Sequence, residues 1–313
     1  MTMFEIVFLG TGGSMPTEGR NLPAIAVRFQ EWVFLFDAGE DVQRQFQRAN
    51  LGLNKKMAVF ISHMHADHIL GLPGLLLRFS LLGRIKPLQI YGPPPLIEYV
   101  KSWQDTIHLG TTFETTVYGI EDGPVLDIDD LSISAFEVDH RGFALGYSLT
   151  YQRPTGPFIP ETARNLGIPE GILWGKLSSG ENIELEDGRV IEPEEVTGPK
   201  PPPMKIVYSG DTRYCDTLME AARNADVLIS EAMYTSEHAD LADPRGHMTA
   251  AEAAQLAKKA GVNLLVLTHY SPRYENSTQV AHDAQEIFSN SIVAEDLMRI
   301  KMDTDGNQQI LRP

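Results

Sequence analysis

Between Ser62 and His68 the chain reads Ser-His-Met-His-Ala-Asp-His, which puts three imidazoles and a carboxylate within six positions. Only nine histidines occur in 313 residues, so this concentration is not scatter. Nitrogen and carboxylate oxygen are donors that suit Zn²⁺ and similar borderline ions. Side chains leaving a strand end in different directions can serve two metals, and a dinuclear centre ionises water at neutral pH to make a nucleophile. Two sites need further ligands. Candidates stand downstream at Asp139-His140, Ser209-Gly210-Asp211-Thr212 and Leu267-Thr268-His269-Tyr270. Each falls where an apolar strand gives way to polar residues, the place where α/β folds assemble sites from several loops. Position alone leaves open whether His140, Asp211 and His269 ligate or only support.

The elements that must carry these residues follow from periodicity. Phe4 to Leu9, Ala24 to Phe29 and Val33 to Phe36 are short β-prone runs parted by Gly, Pro and Asn, which predicts an opening meander. Met57 to Ile61 is a further strand that ends at the histidine cluster, and Ile69 to Leu82 is a buried helix with Pro73 near its start. Strands are predicted at Leu88 to Tyr91, Leu131 to Val138 and Phe143 to Tyr151. After residue 204, strands at Lys205–Ser209, Asp226–Ser230 and Asn263–Thr268 alternate with helices at Tyr214–Arg223 and Thr249–Ala260, an α/β half. Thr249 with Glu252 three positions on forms a capping box. Residues 152–204 carry nine prolines with little periodicity and read as an insertion, a projecting arm on a single domain spanning 1–313.

Composition sets limits on function. With 42% hydrophobic and 22% charged residues the chain can bury a large core, so a folded rather than an intrinsically disordered chain is expected. Met1-Thr-Met-Phe-Glu5 has no cationic leader and the apolar runs are too short to span a bilayer, so the expectation is a soluble, cytoplasmic protein with no membrane partner. Cys215 stands alone, reads as a small side chain near a helix start, and fits a reducing compartment. The net charge of −16 opposes any simple basic surface for nucleic acid.

In this order the residues resemble the metallo-β-lactamase superfamily and, within it, the tRNase Z family, endoribonucleases that remove the 3′ trailer of precursor tRNA. The match runs from Phe8-Leu-Gly-Thr-Gly-Gly-Ser14 to Leu267-Thr-His-Tyr-Ser-Pro-Arg-Tyr274. The resemblance implies an αββα sandwich of two mixed sheets flanked by helices. It implies one Zn²⁺ on His63, His65 and His140, a second on Asp67, His68 and His269, and Asp211 bridging both. Mn²⁺, Fe²⁺ or Co²⁺ would fit the same donors. Two such ions bring more positive charge than Asp67 and Asp211 return, so a phosphodiester can be drawn in despite the acidic chain. A hydroxide between the metals would attack phosphorus, leaving a 3′-hydroxyl on the tRNA and a 5′-phosphate on the trailer. The departing ribose oxygen needs an acid. The resemblance gives that role to His247, in Gly246-His247-Met248-Thr249, oriented by Glu231, and makes Asp67 a proton acceptor; orienting the hydroxide is an equally sound role for it. Asp37, in Phe36-Asp37-Ala38-Gly39, is expected to support the ligand loop. The resemblance also implies a homodimer whose arm reaches substrate on the other subunit, with precursor tRNA as partner and no DNA.

The chain departs from the family at three places. Glu231 keeps its position but its neighbours read Ser230-Glu231-Ala232-Met233. The loop Pro16-Thr17-Glu18-Gly19-Arg20-Asn21 has an anion where the family has a cation, leaving Arg20, Asn21 and, further on, Arg273 as expected substrate contacts. The arm, residues 151–204, holds five Lys or Arg (Arg153, Arg164, Lys176, Arg189, Lys200) against nine Asp or Glu, an odd clamp for RNA. Residues 69–101 instead hold Arg78, Arg84, Lys86 and Lys101 against Glu98 alone, and RNA backbone contacts are expected there first. Gly10 to Ser14 reads as a tight turn, and His108, His238 and His282 as ordinary residues. The competing functions are a phosphodiesterase of the same fold acting on small diesters and a non-catalytic metal-bound scaffold.

Overall fold

The computed structural model describes residues 2–303 and 306–313. All but two of its described strands form two mixed sheets flanked by helices. The first runs in the order Gln308–Leu311, Arg299–Asp303, Thr2–Gly10, Ala24–Phe29, Trp32–Phe36, Lys56–Phe60, Leu88–Gly92, Thr115–Gly119. It is antiparallel up to Trp32–Phe36 and parallel beyond. The second runs Ser291–Val293, Leu264–Thr268, Val227–Glu231, Met204–Tyr208, Leu145–Tyr151, Leu131–Glu137, Gly123–Ile128, and its first four strands are parallel.

Alternation along the strands decides which face meets what. Phe34, Phe36 and Phe60 point between the sheets, where Phe36 lies 5.7 Å from Tyr147 and 5.9 Å from Tyr208, ring to ring. Their neighbours Val33, Leu35 and Val59 point outward into a second apolar layer with Leu72, Leu75, Leu76 and Phe79 of the helix Gly71–Leu81. On the other sheet, Leu228 and Leu265 pack with the alanine-rich helix Ala250–Ala260. Strands buried on both faces need no polar alternation, and Leu264–Thr268 accordingly reads Leu-Leu-Val-Leu-Thr.

The predicted helix over 69–82 is instead a short turn of helix, Ala66–Ile69, followed by Gly71–Leu81. The break has a steric reason: Gly71 passes so close to Gly39 that an added Cβ would lie 1.9 Å from the Gly39 carbonyl oxygen. Thr249 caps its helix as expected, accepting from Glu252 N–H at 3.1 Å while the Glu252 carboxylate accepts from Thr249 N–H at 2.8 Å. Cys215 is the cap residue of the helix Asp216–Ala221. The helices Pro95–Thr106 and Ala239–Arg245 had no counterpart in the sequence reading.

The chain divides into two compact units, one of residues 1–125, 133–149 and 205–313, the other of residues 126–132 and 150–204. The second unit, which takes in the proline-rich residues 152–204, has structure of its own. It holds the helices Pro160–Asn165 and Ile172–Ser178 and a small hairpin, Ile183–Glu184 with Val190–Ile191. Ala163, Ile168, Leu177, Ile183, Ile191 and Val196 form its core. Among the described residues, no helix is long and apolar enough to cross a membrane.

Candidate metal centre

The C-terminal ends of the strands deliver the site. Trp32–Phe36 leads to Asp37, Lys56–Phe60 to His63, Met204–Tyr208 to Asp211, Val227–Glu231 ends on Glu231, and Leu264–Thr268 leads to His269. Ligand atoms of His63, His65, His140 and Asp211 lie within 4.8 Å of one another, and so do those of Asp67, His68 and His269. Asp211 stands between the groups: its Oδ2 lies 3.8 Å from His63 Nε2, 3.3 Å from His68 Nε2 and 3.3 Å from His269 Nε2. His65 Nδ1 approaches His140 Nε2 to 3.2 Å, and His269 Nε2 lies 3.4 Å from Asp67 Oδ2.

The outward nitrogens of His63, His68 and His140 are held. Asp37 Oδ2 lies 2.7 Å from His68 Nδ1 and accepts the Tyr208 hydroxyl at 2.7 Å and the Ser62 hydroxyl at 2.8 Å, while its Oδ1 accepts Ser62 N–H at 2.7 Å. Asp37 itself sits at φ 58°, a left-handed conformation that a short polar side chain tolerates. Gly246 O lies 2.6 Å from His140 Nδ1 and Ser62 Oγ 3.0 Å from His63 Nδ1. Such anchors fix ring orientation and leave the inner nitrogens free for an ion.

Burial pulls the pKa of His63 well below the usual imidazole value, and neighbouring His68 adds to this. Burial works the same way on His68, but Asp211 and Asp37 face its two nitrogens and hold its pKa well above that value. Burial opposes ionisation of Asp67 and Asp211, yet the surrounding histidines keep both carboxyls below the ordinary range. The fit to a metal rests on atoms left over: His63 Nε2, Asp211 Oδ1 and His269 Nδ1 are buried without a hydrogen-bond partner. Buried polar atoms are rarely left so, and His63 Nε2 faces Asp211 inside the cluster. The cluster is compatible with metal binding.

Beside the cluster, His247 Nδ1 lies 2.9 Å from Glu231 Oε1. Glu231 is buried and also accepts the backbone N–H groups of Thr212, Met233 and Met248 at 2.7, 3.2 and 3.2 Å. Burial disfavours a charged His247, but the Glu231 carboxylate outweighs it and pushes the pKa up to about 9. His247 Nδ1 is also 3.9 Å from Asp211 Oδ2, too long to compete with Glu231. The Gly10–Ser14 turn closes the other side, with Ser14 N–H donating to Asp67 Oδ2 at 2.8 Å. Gly13 is there because a Cβ would come within 2.9 Å of the His269 ring.

A cleft of about 440 Å³ opens onto the cluster, lined by Ser14, His65, Asp67, Asp211, His247 and His269 and, beyond them, Arg141, Met233, Tyr234 and Arg245. Arg141 and Arg245 escaped the sequence reading, although each stands within two positions of a singled-out histidine. Two expected substrate contacts need correction. Arg20 is buried and donates to the carbonyls of Tyr270, Ser271 and Tyr274, with its guanidinium 4.2 Å over the Tyr270 ring. Asn21 donates from its amide and its backbone to Asp296 Oδ2, at 2.7 and 2.8 Å. Both are spent on holding their loop. Arg84 leaves the expected basic face for the same reason: it is buried, donates to Leu53 O and Pro87 O, and burial lowers its pKa to about 10. Arg273 is exposed, its guanidinium 5.3 Å over the Tyr234 ring. His108, His238 and His282 lie outside the cluster; His238 meets Tyr274 OH at 3.1 Å and His282 meets Glu286 at 3.6 Å.

Two family descriptions match parts of the chain: anti-Pycsar protein Apyc1 over residues 4–150, and beta-lactamase superfamily domain over residues 200–270. Ribonuclease Z of Methanosarcina acetivorans is 42% identical over 301 residues, 96% of this chain and 98% of its own. Ribonuclease Z of Gemmatimonas aurantiaca is 42% identical over 94% of this chain and 95% of its own. Among solved structures, human tRNase Z, short form, superposes with a TM-score of 0.68 at 25% identity, covering 95% of this chain and 98% of its own.

Proposed function

The chain belongs to the ribonuclease Z family, and on that premise we propose that it is a metal-dependent endoribonuclease cutting the 3′ trailer from precursor tRNA. His63, His65 and His140 would hold one divalent ion and Asp67, His68 and His269 a second, with Asp211 shared. Zn²⁺ suits these donors. Bound there, two such ions supply Lewis acidity toward the phosphoryl oxygens and an ionised water at neutral pH.

The rest of the reaction belongs to the chain. Asp67, fixed by Ser14 N–H, orients the attacking water at the mouth of the cleft. His247 is held charged by Glu231 and lines the same cleft, so its free nitrogen can give a proton to the O3′ that leaves phosphorus. The bond from phosphorus to O3′ breaks, and the products are a 3′-hydroxyl on the tRNA and a 5′-phosphate on the trailer.

The observation that supports this reading most is the His247–Glu231 pair beside the cluster. An alkoxide leaves poorly without an acid, whereas a bound scaffold has no use for one. We read the protein further as a cytoplasmic homodimer with precursor tRNA, and not DNA, as its substrate. Mapping the cut and the end groups on a labelled precursor tRNA tests the assignment.

A further inference from the structure

The chain is strongly acidic, and many of its arginines are spent on carboxylates: Arg28 and Arg299 on Glu5, Arg164 on Glu170, Arg213 on Asp139 and Asp243. Arg141, Arg245 and Arg273 are different. All three are exposed, and none has a carboxylate partner among the described residues. Arg141 and Arg245 line the metal cleft, and Arg273 lies over Tyr234, which lines it too.

The fold organises them around two points. Arg245 donates to Tyr234 OH at 3.0 Å while Arg273 covers the ring of the same tyrosine, so one buried side chain seats two cations. Gly246, at φ +81°, seats the third. A Cβ there would fall 2.9 Å from His140 Nδ1 and 3.0 Å from Arg141 Cγ, and Gly246 O holds the His140 ring. The loops that deliver His140 and His247 therefore touch at Gly246, and each carries an arginine to the cleft wall. Charges kept free of carboxylates beside a site for an anion are placed for more anions.

We propose that Arg141, Arg245 and Arg273 form a cationic rim that holds the phosphates flanking the scissile one. The inference rests on the phosphodiester reading of the cleft and goes beyond it. It makes the preferred substrate a strand with phosphates on both sides of the cut rather than a lone diester. A guanidinium suits this because it pairs with phosphate oxygens in a fork and stays charged at any working pH.

The test compares wild type with Arg141→Ala, Arg245→Ala and the double variant on two substrates, a precursor tRNA with a 3′ trailer and bis(p-nitrophenyl) phosphate, with metal content measured throughout. RNA affinity is read separately by anisotropy on the His65→Ala background across a salt series. The rim predicts a rise in KM for RNA of about tenfold per arginine, the equivalent of roughly 1.4 kcal/mol. It also predicts a log–log salt slope shallower by about 0.7 for each arginine removed. Turnover of the small diester falls far less than turnover of the RNA, and unchanged metal content reports an intact centre. Parallel loss on both substrates, or unchanged RNA binding and slope in the double variant, overturns the rim. If wild type turns over the small diester but neither binds nor cuts RNA, the tRNA reading itself falls, a result distinct from failure of the rim alone.

Discussion

His247 Nδ1 rests 2.9 Å from a Glu231 carboxylate that also gathers three backbone N–H groups from Thr212, Met233 and Met248. The carboxylate is thus fixed at the end of its strand, and the imidazole beside it is placed to carry a proton. The first prediction follows. His247→Ala lowers kcat on RNA by about 10²–10⁴-fold with metal content unchanged. The loss on bis(p-nitrophenyl) phosphate is far smaller, because p-nitrophenolate leaves without a proton. Equal losses on both substrates would remove His247 from the leaving-group step.

Asp37 accepts four hydrogen bonds while wholly buried, and one of its partners is His68 Nδ1. Asp37→Ala frees the His68 ring and lowers metal affinity by about 10–100-fold. It also leaves the Ser62 and Tyr208 donors unmet, at about 1–3 kcal/mol for each buried group. Metal titration and thermal unfolding of the metal-free protein separate the two effects. Wild-type metal affinity in the variant would contradict the assignment.

Gly13 and Gly19 lie in one loop but face different surroundings. A Cβ on Gly13 meets the His269 ring at 2.9 Å, and a Cβ on Gly19 meets nothing within 4 Å. Gly13→Ala displaces His269 and lowers kcat by about 100-fold, the scale of a 1 Å misplacement at a reacting centre. Gly19→Ala leaves kcat as it was. Steady-state kinetics on the small diester decides between them.

Arg20→Ala removes the donor to three carbonyls and costs about 2–3 kcal/mol of stability, read as a lowered Tm. The salt slope of RNA binding stays at the wild-type value, in contrast to the rim arginines. A shallower slope would restore Arg20 to the RNA surface.

What could be read in advance depended on range. The run His63 to His68 announces itself by local spacing, and Thr249 with Glu252 announces a helix start in the same way. Asp37 and His247 are lone residues whose partners, His68 and Glu231, lie 31 and 16 positions away. Only a resemblance connected them. Cations were the hardest to place, because an arginine's fate depends on which carbonyls the tertiary fold offers it. Arg84 is claimed by Leu53 and Pro87, and Arg20 by Tyr270, Ser271 and Tyr274, whereas Arg141 and Arg245 stand exposed at the cleft without a carboxylate partner among the described residues. In the second unit the prolines hid the helices. They punctuate the chain, but Ala163, Leu177 and Val196 still close a small core between them.

The central claim is tested most directly by incubating the metal-quantified protein with a labelled precursor tRNA carrying a 3′ trailer, then mapping the cut and its end groups. The account predicts one cut at the boundary of the trailer, a 3′-hydroxyl on the tRNA, a 5′-phosphate on the trailer, and loss of cleavage in His65→Ala. A metal-loaded protein that turns over a small phosphodiester yet leaves this RNA whole, or nicks it at scattered positions, would contradict it.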